Sequence, residues 1–194
     1  MNILHLDSSP LGGHSVTREL TAAIVAQLRR DNPGSRTVRR DLAADPLPHW
    51  APAADAATPA ARTGGEVLDE FLAADVVVIG APMYNFSVPS QLKAWIDRIV
   101  IAGSTFRYTA TGPEGLAGGR RVIVASARGG FYGAGTPGAA ADFQEPYLRQ
   151  VFAMIGIGDV QFVRAEGVGI SAEQKAASLA AAHAAIDTRQ AVAA

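Results

Sequence analysis

The sequence contains no cysteine, which excludes a disulfide scaffold, a thiolate zinc site and a cysteine nucleophile together. Lysine is nearly absent, at Lys93 and Lys175 only. Arg therefore carries almost all of the positive charge, and this bias, like the abundance of Ala, has no structural period and reads as genomic composition. Neither sign of charge dominates: 17 Lys+Arg stand against 18 Asp+Glu, for a net charge of -1. No global field recruits nucleic acid or an anionic membrane. Long apolar runs are also lacking, because no stretch approaches the ~18 residues of a membrane span. The opening MNILHLDSS has too short an apolar run and no basic flank for a secretory leader, so a cytoplasmic location is expected. His5, His14, His49 and His183 are dispersed without metal-ligand spacing, and no G-x-S-x-G elbow occurs, so metal and serine-hydrolase chemistry lack their signatures. What is present is 194 residues that are 48% hydrophobic. That is enough for a single domain over residues 1–194 with a sizeable core, and too apolar for a disordered chain.

Along the chain, strand and helix patterns alternate. Ile3 to Asp7 is a short apolar strand, followed by Ser8, Ser9, Pro10 and a Gly12-Gly13 pair. Ser15 then stands as N-cap before a helix with Val16, Leu20, Ile24 and Leu28 at helical spacing. Thr37 to Leu42, with Arg39 and Arg40, fits an edge strand. Asp45 to Gly65 is an irregular excursion, and Glu66 to Ala73 a short helix. Asp75 to Gly80 and Val122 to Ala125 are continuous apolar runs, the pattern of parallel strands covered on both faces. Between them lie a helix from Pro89 to Ile101 and a long loop from Ser104 to Gly119. A helix from Asp142 to Ile155, a short strand from Val160 to Val163 and a capping box at Ser171-Ala172-Glu173-Gln174 complete the pattern.

Five strands alternating with helices imply an α/β fold, a three-layer sandwich around a parallel sheet with right-handed crossovers. The charged second and fifth strands belong at the edges, which gives the order 2-1-3-4-5. Ligands then bind beyond the carboxyl ends of the strands, at the switch point between the first and third. The loops Asp7 to Thr17, Ala81 to Val88 and Ser126 to Gly138 therefore carry the chemistry.

The first loop offers Ser9, Ser15 and Thr17 around two glycines and ends at a helix N-terminus, where free N–H groups and the dipole favour a phosphate. It lacks the lysine of a nucleoside-triphosphate loop and so fits one phosphomonoester; the alternative is a plain cap and turn. In the second loop Met83, Tyr84 and Phe86 can enclose a flat heteroaromatic ring while the Asn85 amide meets its edge, or the same residues can form a hydrophobic cluster over Trp95. In the third, Arg128-Gly129-Gly130 permits close approach of a backbone to such a ring, or is an ordinary loop. Gly133 to Gly138 matches G-x-G-x-x-G, but it begins well after its strand and Pro137 removes an N–H, which argues against a dinucleotide site.

These segments resemble the FMN-dependent NADH azoreductases and related NADH:quinone oxidoreductases, of flavodoxin-like fold. The likeness runs over nearly the whole chain and rests on Ser8-Ser9 with Ser15-Val16-Thr17, Arg40-Asp41-Leu42-Ala43, Ala81-Pro82-Met83-Tyr84-Asn85-Phe86 with Gln91-Leu92-Lys93, Thr105-Phe106-Arg107-Tyr108-Thr109 with Gly112-Pro113-Glu114-Gly115-Leu116, and Arg128-Gly129-Gly130. The resemblance implies a flavodoxin-like five-stranded sheet and bound FMN. Ser9, Ser15, Val16 and Thr17 would then hold the FMN phosphate and ribityl chain. Pro82, Met83, Tyr84, Asn85, Phe86, Ala127, Arg128, Gly129 and Gly130 would surround the ring. It further implies NADH or NADPH as electron donor, a quinone or azo compound as acceptor, ping-pong kinetics and a homodimer. Three departures stand out. Ala127 replaces a common Ser and leaves only backbone for contact; Tyr132 replaces the His of some relatives; and the Pro48 to Gly65 excursion is shorter than in some.

Phe106, Tyr132 and Met154 are the candidates for the acceptor pocket, and no residue is expected to act as a catalytic acid or base. The stripe Leu92, Trp95, Ile96, Ile99 and Val100 is wider than packing on one sheet face should consume, which is a second argument for a partner copy. A flavodoxin-type electron carrier and a non-catalytic quinone-responsive binder are the alternatives of other classes.

Overall fold

The computed structural model describes residues 1–51 and 59–188. Among the described residues the alternation of apolar and polar residues builds seven strands and five α-helices: β1 (Asn2–Asp7), α1 (Val16–Asp31), β2 (Arg36–Asp41), α2 (Pro59–Ala73), β3 (Val76–Pro82), α3 (Ser90–Ile99), β4 (Phe106–Thr109), β5 (Gly112–Gly115), β6 (Arg121–Ala127), α4 (Glu145–Met154), β7 (Val160–Ala165) and α5 (Ala172–Thr188). Five strands pair in parallel in the order β2-β1-β3-β6-β7, with β4 and β5 forming a separate antiparallel hairpin. The sheet is of the flavodoxin-like kind. The fourth and fifth sheet strands are nevertheless β6 and β7, because the stretch expected to be a loop from Ser104 to Gly119 holds the hairpin. Its four-residue strands are mostly exposed, so no apolar period marks them.

Strand residues alternate between two cores, as the pleat requires. Leu4, Leu6, Val77, Ile79, Val122 and Val124 face α2, α3 and α4, while Ile3, Val76, Val78, Ile123 and Val163 face α1 and α5. Every residue of β3 is buried, whereas the first four residues of β2 are exposed, in keeping with a central and an edge strand. Arginines along β2 discourage pairing of that free edge with another strand.

Two further expectations change. Helix α2 starts at Pro59 rather than Glu66, since Gly64 and Gly65, poor helix formers, interrupt the pattern. Part of the expected excursion is therefore helical, and the stretch 52–58 lies outside the described residues. The α3 stripe is consumed within one chain: Leu92, Trp95 and Ile99 are fully buried and Ile96 nearly so. Helix α2 covers what the sheet does not, with Phe71 edge-on to Trp95 at 5.9 Å, so the width of the stripe is no argument for a partner.

At the amino-terminal edge the hairpin docks where Gly115 meets Gly156. A Cβ on Gly115 would lie 2.1 Å from the Gly156 nitrogen. Gly115→Ala should therefore lower stability by about 1–3 kcal/mol through overpacking. Gly65→Ala, at an exposed α2 position where an added Cβ meets nothing within 4 Å, should raise it by about 0.5–1 kcal/mol. Urea denaturation of both variants checks the pair.

Candidate functional site

Strands β1, β3 and β6 end side by side, and their loops converge at the carboxyl edge of the sheet. Beyond β1, Ser15 caps α1: its hydroxyl accepts from the Arg18 N–H at 3.3 Å and lies 3.1 Å from the Thr17 hydroxyl. The N–H groups of Val16 and Thr17 have no protein partner among the described residues, as expected of the first turn of a helix. Ser9 is fully buried, accepts from the Leu11 N–H at 3.3 Å and lies 3.4 Å from the Tyr84 hydroxyl. The first and second loops thus touch. Free donors and three hydroxyls at one helix N-terminus form the cradle an anionic phosphate needs.

That cradle is held by groups the sequence did not single out. The Arg18 guanidinium donates twice to the Ser9 carbonyl, at 3.1 and 2.8 Å, and grips the Asp41 carboxylate with two bonds of 2.6 and 2.7 Å. The pairing holds the Asp41 carboxyl down at about 2. Asp7, at the end of β1, is 1% exposed and accepts from Thr21 at 2.9 Å and Arg39 at 2.7 Å. Burial alone would raise its pKa, but the His5 ring 3.4 Å away and the bonds from Arg39 outweigh it and the value is lowered.

The second loop is a tight hairpin. Tyr84 and Ser87 exchange two backbone bonds of 3.0 Å, and the two residues between them, Asn85 and Phe86, have φ of 47° and 70°. Two left-handed residues in sequence define a type I′ turn; Asn accepts that conformation readily, a bulky Phe does not. Strain of this kind persists where the surrounding structure imposes it, and it clusters at ligand sites. Pro82 is buried at the end of β3, Met83 and Tyr84 are half-buried, and Asn85 and Phe86 are exposed, with no partner for the Asn85 amide among the described residues. Phe86 stands edge-on to Tyr132, with ring centroids 6.1 Å apart. A cleft of about 650 Å³ opens beside this turn, lined by Pro10, Tyr84, Asn85, Pro89, Gln91 and Tyr147. Burial, with help from Asp97, pushes the Tyr147 hydroxyl up to about 12, so it stays a neutral donor.

Ala127, the last residue of β6, and Arg128 beyond it are buried while Gly129 is exposed. The Arg128 side chain points inward, fully buried, with Glu145 at 2.5 Å, Asp142 at 3.1 Å and Glu166 at 3.3 Å. Only its backbone is left to meet a ligand. A fully buried guanidinium requires such compensation, and removing a partner is costly.

Of the expected pocket residues, Tyr132 joins these loops and the other two do not. Phe106 and Met154 follow α3 and end α4, helices that run back to the amino-terminal edge. Seven-residue β6 separates the edges by roughly 20 Å at about 3.3 Å per residue. Phe106 is also 5% exposed, beneath Tyr108 at 5.2 Å between ring centroids, and Tyr108 itself is 76% exposed. Among the described residues no three His, Asp or Glu side chains converge as a metal site needs, and no helix is long and apolar enough to cross a membrane.

A family model described as flavodoxin-like fold matches residues 1–189. The chain is 59% identical to an FMN-dependent NADH:quinone oxidoreductase of Sinorhizobium fredii, over 94% of this chain and 93% of that protein. It is 57% identical to one of Ralstonia nicotianae, over 96% and 95%. Among solved structures it resembles an FMN-dependent NADH-azoreductase from Bacillus anthracis in complex with FMN, with a TM-score of 0.83, 26% identity and coverage of 96% and 98%.

The carboxylates make acid stability a measure of the site's frame. Asp41 ionises near 2 folded and near its ordinary 3.8 unfolded, and the Asp7 value is lowered too. Their stabilisation is therefore complete above the unfolded value and is lost as pH falls through the folded ones. The urea midpoint should drop steeply between about pH 4 and about pH 2. Asp41→Asn should be less stable at neutral pH and flatter over that window.

Proposed function

Because the chain belongs to the family of flavodoxin-like fold whose model spans residues 1–189, with close homologues that are FMN-dependent NADH:quinone oxidoreductases, we propose that it is an FMN-dependent oxidoreductase. It would pass two electrons from NADH or NADPH to quinones and azo compounds. The observation that carries the reading is the lysine-free cradle of Ser9, Ser15, Thr17 and the unpaired N–H groups of Val16 and Thr17, facing the strained Asn85-Phe86 turn across a 3.4 Å contact. The residues fit FMN: one phosphate site, one ring site, and no second nucleotide site in the three loops.

When bound, the flavin supplies an electron-pair carrier that neither substrate nor side chain provides. The first loop holds the phosphate by hydroxyls and backbone donors. Pro82, Met83, Tyr84 and Phe86 flank the ring, while the Asn85 amide and the N–H groups of Gly129 and Gly130 meet its polar edge. Ala127 and Arg128 contribute backbone alone. Tyr132 and Phe86 bound the opening through which donor and acceptor enter in turn, the order of a ping-pong mechanism. No side chain is assigned as general acid or base; water delivers the protons.

The whole chain, 1–194, acts as one flavin-binding domain, in the cytoplasm, as a homodimer. Support for the dimer comes from the carboxyl edge, where Leu11, Phe86, Phe131 and Phe143 are all exposed. Phe106 and Met154 can reach an acceptor only in a second copy. Phe106 would then act by supporting Tyr108, the exposed ring of the β4–β5 hairpin.

Flavin released from the purified protein should be FMN; FAD alone overturns the reading. NADH oxidation should be fast with benzoquinone, whereas an electron carrier or a non-catalytic binder turns over neither. Asn85→Ala should weaken FMN binding, because a ring group left unpaired costs about 1–3 kcal/mol. Light scattering should return twice 20.1 kDa, and a fully active monomer would exclude any role for Phe106, Tyr108 or Met154 across an interface.

A further inference from the structure

After β6 the backbone carbonyls of Arg128, Gly129 and Gly130 all accept from one short segment beyond β7. Val168 N–H bonds to Arg128 at 3.1 Å, Gly169 to Gly129 at 3.1 Å and Gly167 to Gly130 at 2.9 Å. Every peptide bond here is trans, and in a planar trans peptide the N–H points opposite to the preceding carbonyl. The three bonds therefore turn the N–H groups of Gly129, Gly130 and Phe131 away from the 167–169 segment. None of the three has a protein partner among the described residues.

The next N–H, that of Tyr132, ends the run by donating to Glu166 Oε1 at 2.8 Å. The same oxygen lies 3.3 Å from the buried Arg128 guanidinium. One carboxylate thus joins the end of the turn to the arginine beneath its start. Close approach is built in by glycine. A Cβ on Gly169 would lie 3.3 Å from the Gly129 backbone, and one on Gly133 would lie 2.9 Å from Glu166 Oε2. Gly167, with φ of 71°, would bring a Cβ to 2.8 Å from the Phe131 ring.

We propose that Glu166 and the Gly167–Gly169 segment are positioning residues, a clasp that presents the N–H groups of Gly129 and Gly130 to the flavin ring. The inference rests on the FMN reading above. Glu166 touches neither cofactor nor substrate; it acts through the Tyr132 amide. Fixing those donors before binding removes the ordering cost that a free glycine loop would incur.

The test combines amide hydrogen exchange in flavin-free protein with FMN titration by fluorescence quenching, on wild type, Glu166→Ala, Glu166→Gln and Glu166→Asp. In Glu166→Ala the Tyr132 amide should lose its protection and the FMN Kd should rise about tenfold, since a half-buried donor loses its acceptor and no longer anchors the end of the turn. Glu166→Gln keeps an acceptor oxygen and should retain both properties. Glu166→Asp keeps the charge but withdraws it by one methylene, and should behave like Glu166→Ala; it serves if the alanine variant fails to fold. Unchanged protection, wild-type FMN affinity in Glu166→Ala, or a Gln variant as impaired as the Ala variant would each overturn the clasp. If wild type binds no FMN the cofactor reading falls, and the flavin role of the clasp with it, while amide exchange still decides whether the clasp holds the turn.

Discussion

Strands β1, β3 and β6 are covered by helices on both faces, and nothing polar along their middles can be solvated. The ladders satisfy the backbone, and apart from His5 within β1 the buried polar side chains gather at the carboxyl ends: Asp7 and Ser8 where β1 finishes, Ser126 and Arg128 where β6 does. Chemistry is confined to that line of strand ends. The parallel register, which sets Asp7 beside Gly80 and Ala81 beside Ser126, brings three distant pieces of sequence to one edge. Gly80 also leaves space there: a Cβ would crowd Thr21 at 3.2 Å and Asp7 at 3.4 Å.

Charge placement follows the same constraint. The buried Arg128 is enclosed by carboxylates from the α4 approach, from α4 itself and from the end of β7, and Glu145 also binds Arg164 at 2.6 Å. The bidentate Arg18–Asp41 pair does for the first loop what Arg128 does for the third. In both, a guanidinium reaches beneath a loop and fixes it, leaving the upper surface to neutral donors and hydroxyls. The functional edge of a nearly neutral protein is thus framed by ion pairs without presenting them.

What the sequence disclosed and withheld follows from how far each interaction reaches. Val76 to Ile79 and Val122 to Ala125 are readable because burial on both faces leaves an unbroken apolar run. Ser15 as cap and the hydroxyls of the first loop are local and equally plain, whereas the loop from Ala81 to Val88 gave no sign of the tight turn at Asn85 and Phe86. The β4–β5 hairpin leaves no pattern because its strands are short and wet, and Gly64-Gly65 conceals the first half of α2. The α3 stripe shows a surface to be covered but not that α2 covers it. Arg18 and Glu166 could not be found from spacing, since their partners lie 23 and 34 residues away and only the closed fold joins them.

The Asn85-Phe86 turn sets a limit on how heat-resistant this protein can become. A phenylalanine held at φ of 70° spends roughly 1–3 kcal/mol of conformational energy. Glycine at that position would recover much of it and lengthen the protein's life at high temperature. The same exchange would delete the ring that stands against Tyr132 at the mouth of the site. On the proposed function, selection for thermal endurance and selection for turnover would pull on one side chain in opposite directions, a conflict between stability and activity located at a single residue.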